Sequence, residues 1–413
     1  MTETTTTSTE AADAAAEARA WLAGHPHGGL SGREWRELVV DEKWAALRWP
    51  IEWYGRGLSD SAAKAVETEF AAAKASGPGQ DIYNLWAGTM LAYGSDDLKR
   101  RFLRSLLLDD VAMCLLYSEP GAGSDLAGLR TTAVRDGDEW VVNGQKVWTS
   151  GGREAEYGML IARTDWDVPK HRGITFFWFP MRQPGVEVRP LRQVTGDRRF
   201  NEVFITDARV PDSNRLGDTG KGWWVLQTAL TYERAVMGVS QRDRGDATDD
   251  KEPEGATAKA HGRIPVPDLS LIEVARSVGR HTDPQVRQEL MKLHILRTVN
   301  DWNGQRGKAE MKAGGSSSVA SLGKLAMAQL LHYAGRINGH LLGMEGTLDG
   351  DEFPRSRDAN YSQLNAYFFS IGGGTDQIQR NIIGERILGL PREPEVDKDV
   401  AFRDVRASGP AAR

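Results

Sequence analysis

From Leu30 to Leu108 apolar residues recur at helical spacing, in an Ala-rich run over 62–75 and an amphipathic run near 98–107. Ser76-Gly77-Pro78-Gly79 separates the two. This predicts a helical first domain over 19–111. After Val111 the period shortens. Trp140-Val141-Val142-Asn143-Gly144-Gln145-Lys146-Val147-Trp148 predicts two strands around an Asn-Gly turn. Segments 173–181, 186–191 and 201–210, rich in Val, Ile, Phe and Trp, predict further strands, giving a β domain over 112–215. From Gly222 the helical period returns, through about 239, 269–278, 284–309, 318–342 and 375–390. Long helices in that number predict a bundle over 216–395. The fold class is therefore α+β and multidomain. Residues 1–18 and 396–413 are expected as tails, the first disordered, and the polar stretch 241–267 as a disordered surface insertion, the alternative being a functional lid.

A chain of 413 residues suits two or three packed units around a shared site. Its formal charge of -5, with both signs interspersed, provides no basic stripe for nucleic acid. The one cysteine, Cys114, excludes an internal disulfide and points to a reducing compartment. The first twenty residues lack a basic region followed by an apolar run, and no segment is apolar for long enough to span a bilayer. A soluble, cytoplasmic protein is expected. Eight scattered histidines form no zinc-binding spacing, so no metal is expected.

Four segments carry candidate chemistry. Tyr117-Ser118-Glu119-Pro120-Gly121-Ala122-Gly123-Ser124-Asp125 combines glycines, which let backbone N–H groups approach a flat or phosphorylated ligand, with two hydroxyls. Leu126 stands where the third glycine of a dinucleotide fingerprint would fall, and the remaining choice is between a ligand loop and a tight turn. Lys146-Val147-Trp148-Thr149-Ser150-Gly151-Gly152 sets an indole beside small hydroxyl residues; the alternative is a core Trp in a sheet. Over 223–240, Leu226, Ala229, Leu230, Val236 and Met237 share a helical face with Glu233 at its centre. Such a carboxylate serves either as a general base, its pKa raised by desolvation, or as half of a structural ion pair. Finally, Ile371-Gly372-Gly373-Gly374-Thr375-Asp376-Gln377 reads as a glycine approach to a helix N-terminus with Thr375 as cap, open either to a ligand or to none.

In this order the segments resemble the acyl-CoA dehydrogenase family, from about Leu30 to Pro394. The likeness includes Thr195-Gly196-Asp197, Phe200-Asn201-Glu202-Val203-Phe204, Val210-Pro211, Leu216-Gly217 and Gly220-Lys221-Gly222-Trp223. The resemblance implies a helical N-terminal domain, a central β-barrel or sandwich and a C-terminal helical bundle. It also implies FAD as cofactor and an acyl-CoA or related carrier thioester as substrate. An electron-transfer flavoprotein would be the acceptor, and a homodimer or homotetramer the assembly. By the same likeness Leu115, Tyr117, Ser118, Gly123, Ser124, Trp148, Thr149, Ser150, Thr375 and Gln377 would line the FAD. Ser124, Arg234, Gly373 and Gly374 would meet the substrate.

The departures sharpen the expectation. Many members carry the catalytic glutamate immediately before the Gly-Thr pair, where this chain has Gly373. A minority place it on a bundle helix directly before an arginine, the position of Glu233-Arg234. Glu233 is thus the expected base for α,β-dehydrogenation, with the Gly373 N–H polarising the thioester carbonyl. Two further readings follow: a non-catalytic or half-site subunit of a hetero-oligomer, motivated by Gly373, and a flavin oxidase or monooxygenase relative.

Overall fold

The computed structural model describes residues 2–238, 271–312, 317, 319–350 and 352–405, excluding the side chains of 2–8, 233–238, 311–312 and 320–321. The predicted insertion over 241–267 lies outside the described residues. The rest divides into two compact units, one of 2–191, 199–238 and 397–405, the other of 192–198 and 271–396.

The first unit opens with six helices: α1 (Thr2–Gly24), α2 (Gly32–Asp41), α3 (Asp60–Ala72), α4 (Gln80–Tyr83), α5 (Leu85–Tyr93) and α6 (Asp96–Leu107). Ser31, Ser59, Asn84 and Ser95 cap α2, α3, α5 and α6, each accepting from a backbone N–H in the first turn. Helix α1 corrects the expectation of a disordered tail over 1–18. Alanine has the highest helix propensity, and here Ala14 and Ala18 are buried in the common core with α3. Trp21 packs against Trp35, Trp44 and Phe70, and Ser59 donates through its hydroxyl to Glu10 (2.7 Å).

The central element is a mixed sheet of eight strands: β1 (Met113–Leu116), β2 (Thr132–Asp136), β3 (Glu139–Ser150), β4 (Tyr157–Arg163), β5 (Ile174–Pro180), β6 (Val186–Leu191), β7 (Phe200–Pro211) and β8 (Arg215–Leu216). They run in the order β6-β7-β3-β2-β4-β5-β8, with β1 parallel to β4. The expected Asn-Gly turn is absent: β3 runs through it, and β2 and β3 join around Gly137 instead. Asn143 sits at a bulge, where its side chain donates to Asp207 Oδ1 (3.0 Å) and accepts from the Asp207 N–H (2.9 Å). Gly144 is there for close approach, since a Cβ would lie 2.3 Å from Thr131 Oγ1.

Helix α7 (Gly222–Gly238) belongs to the first unit, where it packs with α5 and β5 and buries Val225, Leu226 and Ala229. The second unit holds α8 (Leu271–Ser277), α9 (Pro284–Lys312), α10 (Gly323–Leu342), α11 (Pro354–Ile371) and α12 (Asp376–Ile382). Its core is Leu271, Val286, Leu293, Leu330, Ile337 and Leu341 with two alanines. Helix α11 carries no apolar stripe because its buried positions are Ser356, Ala359, Asn365 and Ala366. No helix among the described residues is long and apolar enough to cross a membrane.

Gly222 sets the start of α7 against β5: a Cβ there would stand 2.6 Å from the Thr175 carbonyl carbon. Gly222→Ala should lower stability by about 1–3 kcal/mol, the range for overpacking a filled site. Gly28→Ala, which meets nothing within 4 Å, should stay within about 0.5 kcal/mol. Paired thermal unfolding of the two variants checks this.

Candidate active site

The Gly-rich loop leaves β1 at Tyr117 and closes on itself through reciprocal backbone bonds between Glu119 and Ala122 (3.0 and 3.1 Å). Such a loop has little apolar surface to bury, so its order must come from polar contacts. Lys146 of β3, fully buried, donates to Glu119 Oε1 (2.9 Å) and to the Tyr117 carbonyl (3.1 Å). Glu119 also accepts from the N–H groups of Arg130 (2.7 Å) and Thr131 (2.9 Å). Burial pushes the Glu119 carboxyl up, but the Lys146 charge and these hydrogen bonds override it and hold the group below its usual range. Burial pulls the Lys146 ammonium down against its partner.

A second buried cation completes the frame. Arg163, at the end of β4, donates to the carbonyls of Ala127 (2.6 Å), Leu129 (3.1 Å) and Lys170 (3.0 Å). Burial brings its pKa down to about 10. The Val147 N–H donates to the Ser118 carbonyl (2.9 Å), tying the loop to β3. Leu115 and Ser118 are half-buried, Tyr117 is buried, and Gly123 and Ser124 are exposed on the loop. The structure thus brings the first and second sequence segments together.

At the end of β3 a second bulge sets two residues, Val147 and Trp148, opposite Glu202 alone. Trp148 takes φ 63° and is 56% exposed, with Phe200 edge-on to it at 5.9 Å. Thr149 turns inward. Its carbonyl accepts from Asn201 Nδ2 (2.9 Å), while its hydroxyl is buried without a hydrogen-bond partner among the described residues, as is Asn201 Oδ1. Ser150 follows, half-buried. An exposed indole beside an orphaned buried hydroxyl fits a planar ring with polar edges.

Glu233 and Arg234 lie within α7, Glu233 four residues after buried Ala229 and seven after buried Leu226; their side chains are outside the described residues. The remaining expected residues belong to the second unit. Gly373 and Gly374 take φ of 63° and 88°, and Thr375 caps α12, accepting from the Ile378 N–H (3.2 Å). Gln377, two residues on, is exposed. Lys324 donates to the Gly374 carbonyl (2.5 Å) and lies 3.6 Å from Asp376. Sequence patterns alone assign no role to the framing residues Glu119, Lys146 and Arg163. The available signal is a Lys and an Arg placed within strand patterns.

A set of N-terminal helices, a mixed sheet with a framed Gly-rich loop, and a separate C-terminal helical unit define a multidomain α+β class. Residues 114–208 match the acyl-CoA dehydrogenase middle domain and 273–388 the acyl-CoA dehydrogenase C-terminal domain. The acyl-CoA dehydrogenase IpdE1 of Mycolicibacterium smegmatis is 35% identical, over 92% of this chain and 97% of its own. Among solved structures, the Tcur3481-Tcur3483 steroid ACAD matches with TM-score 0.65 at 26% identity, covering 93% of this chain and 98% of that one. The ChsE4-ChsE5 complex from Mycobacterium tuberculosis matches with TM-score 0.61 at 30% identity, covering 93% and 98%. The chain belongs to the acyl-CoA dehydrogenase family, whose members are FAD-dependent oxidoreductases.

Removing the charge of Glu119 strands a buried ammonium. Glu119→Gln should cost about 3–5 kcal/mol, with part of that recovered on adding Lys146→Met, in a urea-unfolding double-mutant cycle. Because the folded carboxyl titrates below its unfolded value of about 4.3, its contribution is present above that pH. It is lost as pH falls through the lower folded value. A Glu119→Gln variant as stable as the parent would show that the pair does not hold the loop.

Proposed function

We propose that this protein removes the α and β hydrogens of an acyl-CoA to give the 2-enoyl thioester, with Glu233 as the base. The observation that carries the assignment is Gly373: the usual position of the base has no side chain. Glu233 stands in helical register with the buried positions of α7. Its carboxylate takes the α proton, and the Gly373 N–H receives the thioester oxygen as charge develops on it. Arg234, Gly374 and Ser124 are the further residues assigned to the substrate, on family likeness.

FAD, when bound, supplies the hydride acceptor. The residues to hold it are Leu115, Tyr117, Ser118, Gly123, Ser124, Trp148, Thr149 and Ser150, with Thr375 and Gln377. Support comes from the exposed Trp148 indole and the Thr149 hydroxyl, which has no partner among the described residues. An electron-transfer flavoprotein is the proposed acceptor, on family likeness. For the acyl group we favour one that bears rings, on the similarity to a steroid ACAD.

A second reading, in which the chain works with a different family member, is favoured by the similarity to the two-chain ChsE4-ChsE5 complex. It is also favoured by α9, where Met291, Ile295, Val299 and Trp302 form one exposed apolar stripe. Either a like chain, as in the expected homodimer or homotetramer, or an unlike one would cover it.

Anaerobic mixing with a panel of straight-chain, branched and ring-bearing acyl-CoAs tests the first reading by loss of flavin colour. Bleaching should be fastest with a ring-bearing substrate. Glu233→Gln should slow it by about 10²–10⁴-fold; a variant that bleaches at the parent rate removes Glu233 from the mechanism. For assembly, Trp302→Asp should lower the mass seen by light scattering. Stable FAD and turnover by the chain purified alone would dismiss the requirement for an unlike partner.

A further inference from the structure

Residues 397–405, expected as part of a free tail, are built into the first unit. The Phe402 N–H donates to the Val168 carbonyl and the Arg403 N–H to that of Trp166, both at 3.0 Å, and Ala401 pairs with Pro169. Arg403 also pairs with Asp167. Phe402 is buried, its ring 5.4 Å from that of Trp166 and 3.6 Å from the Arg163 guanidinium carbon. Arg163 directs its N–H groups at the carbonyls of Ala127, Leu129 and Lys170, so its flat face is what the Phe402 ring can support. Lys170 makes a second link, its ammonium lying between Asp125 (3.2 Å) and Asp397 (3.5 Å). Asp125 directly follows Ser124.

We propose that segment 397–405 is a positioning element for the substrate loop. Phe402 acts through Arg163, and Asp397 through Lys170, to fix residues 123–130 in the conformation that receives the acyl-CoA. The proposal rests on the reading that places Ser124 at the substrate. Neither Phe402 nor Asp397 touches the reacting atoms. Their influence passes through one guanidinium plane and one shared ammonium, both of which end on the loop. A gap under that plane would let Arg163 tilt, and the carbonyls of Ala127 and Leu129 would tilt with it.

The test compares Phe402→Ala with Phe402→Leu, which keeps the site filled but removes the ring, in the full chain. Hydrogen exchange of the amides of 123–130 is measured alongside steady-state kinetics with an acyl-CoA. In Phe402→Ala exchange should quicken about tenfold and KM rise about tenfold, with kcat within about twofold, and Phe402→Leu should fall between it and the parent. Exchange at parent rates in both variants overturns the proposal. Faster exchange with KM unchanged has two meanings, separated by Ser124→Ala. If that variant raises KM, the positioning proposal falls; if it does not, the assignment of this loop to the substrate falls.

Discussion

A buried ion pair, Lys146 with Glu119, is the contact on which the Gly-rich loop of the first unit depends. The loop it holds is rich in glycine and buries little beyond Tyr117 and Ala122 before residue 126, so polar contacts carry much of its order. Charge-assisted hydrogen bonds in a dry interior can, because their strength grows as solvent is excluded. The same exclusion makes an unpaired ion expensive, and each cation meets several acceptors. Lys146 meets a carboxylate and a carbonyl, and Arg163 meets three carbonyls. The loop is held by groups beneath it, leaving Gly123 and Ser124 exposed on its outer side.

Helix α7 is fixed in a different way. Its start is pressed to β5 through Gly222, and the Gly220 N–H donates to Thr175 Oγ1 (2.9 Å). Farther along, Thr228 bonds the Tyr93 hydroxyl (2.9 Å), and the Tyr232 ring fills the space where a side chain at residue 88 would stand. Every one of these contacts precedes residue 233. The segment bearing the proposed base is therefore delivered by a helix already anchored over three turns, which suits chemistry sensitive to small displacements.

Much of this is legible in the amino-acid sequence. The extents of β5, β6 and β7, the burial of Leu226 and Ala229 on α7 and the cap at Thr375 follow from local rules, and the family motifs place them in order. The features that local rules miss are missed for physical reasons. Helix α11 buries Ser356 and Asn365 among alanines, so it presents no hydrophobic stripe to a pattern search. Lys146 and Arg163 carry no local sign of their roles, because Glu119 lies 27 residues from Lys146 and two of the three carbonyls that Arg163 meets lie more than 30 residues from it. Asn143-Gly144 is a strong turn signal in isolation, yet β7 pairs along both its sides and converts it to a bulge. Residues 1–18 look too polar to fold until α3 supplies the surface for Ala14 and Ala18.

The two irregularities between β3 and β7 have a joint consequence. The first sets Thr206 and Asp207 of β7 against Asn143, and the second sets Val147 and Trp148 of β3 against Glu202. The extra residue changes strands, so the pairing before the first bulge and after the second is in phase, and only the stretch holding Lys146 is offset. The sheet behaves as a ladder with a short phase-shifted insert. Losing one residue from either bulge alone would turn one end of the strand inside out, whereas losing one from each would restore the alternation. Length changes in these strands are therefore constrained to come in matched pairs.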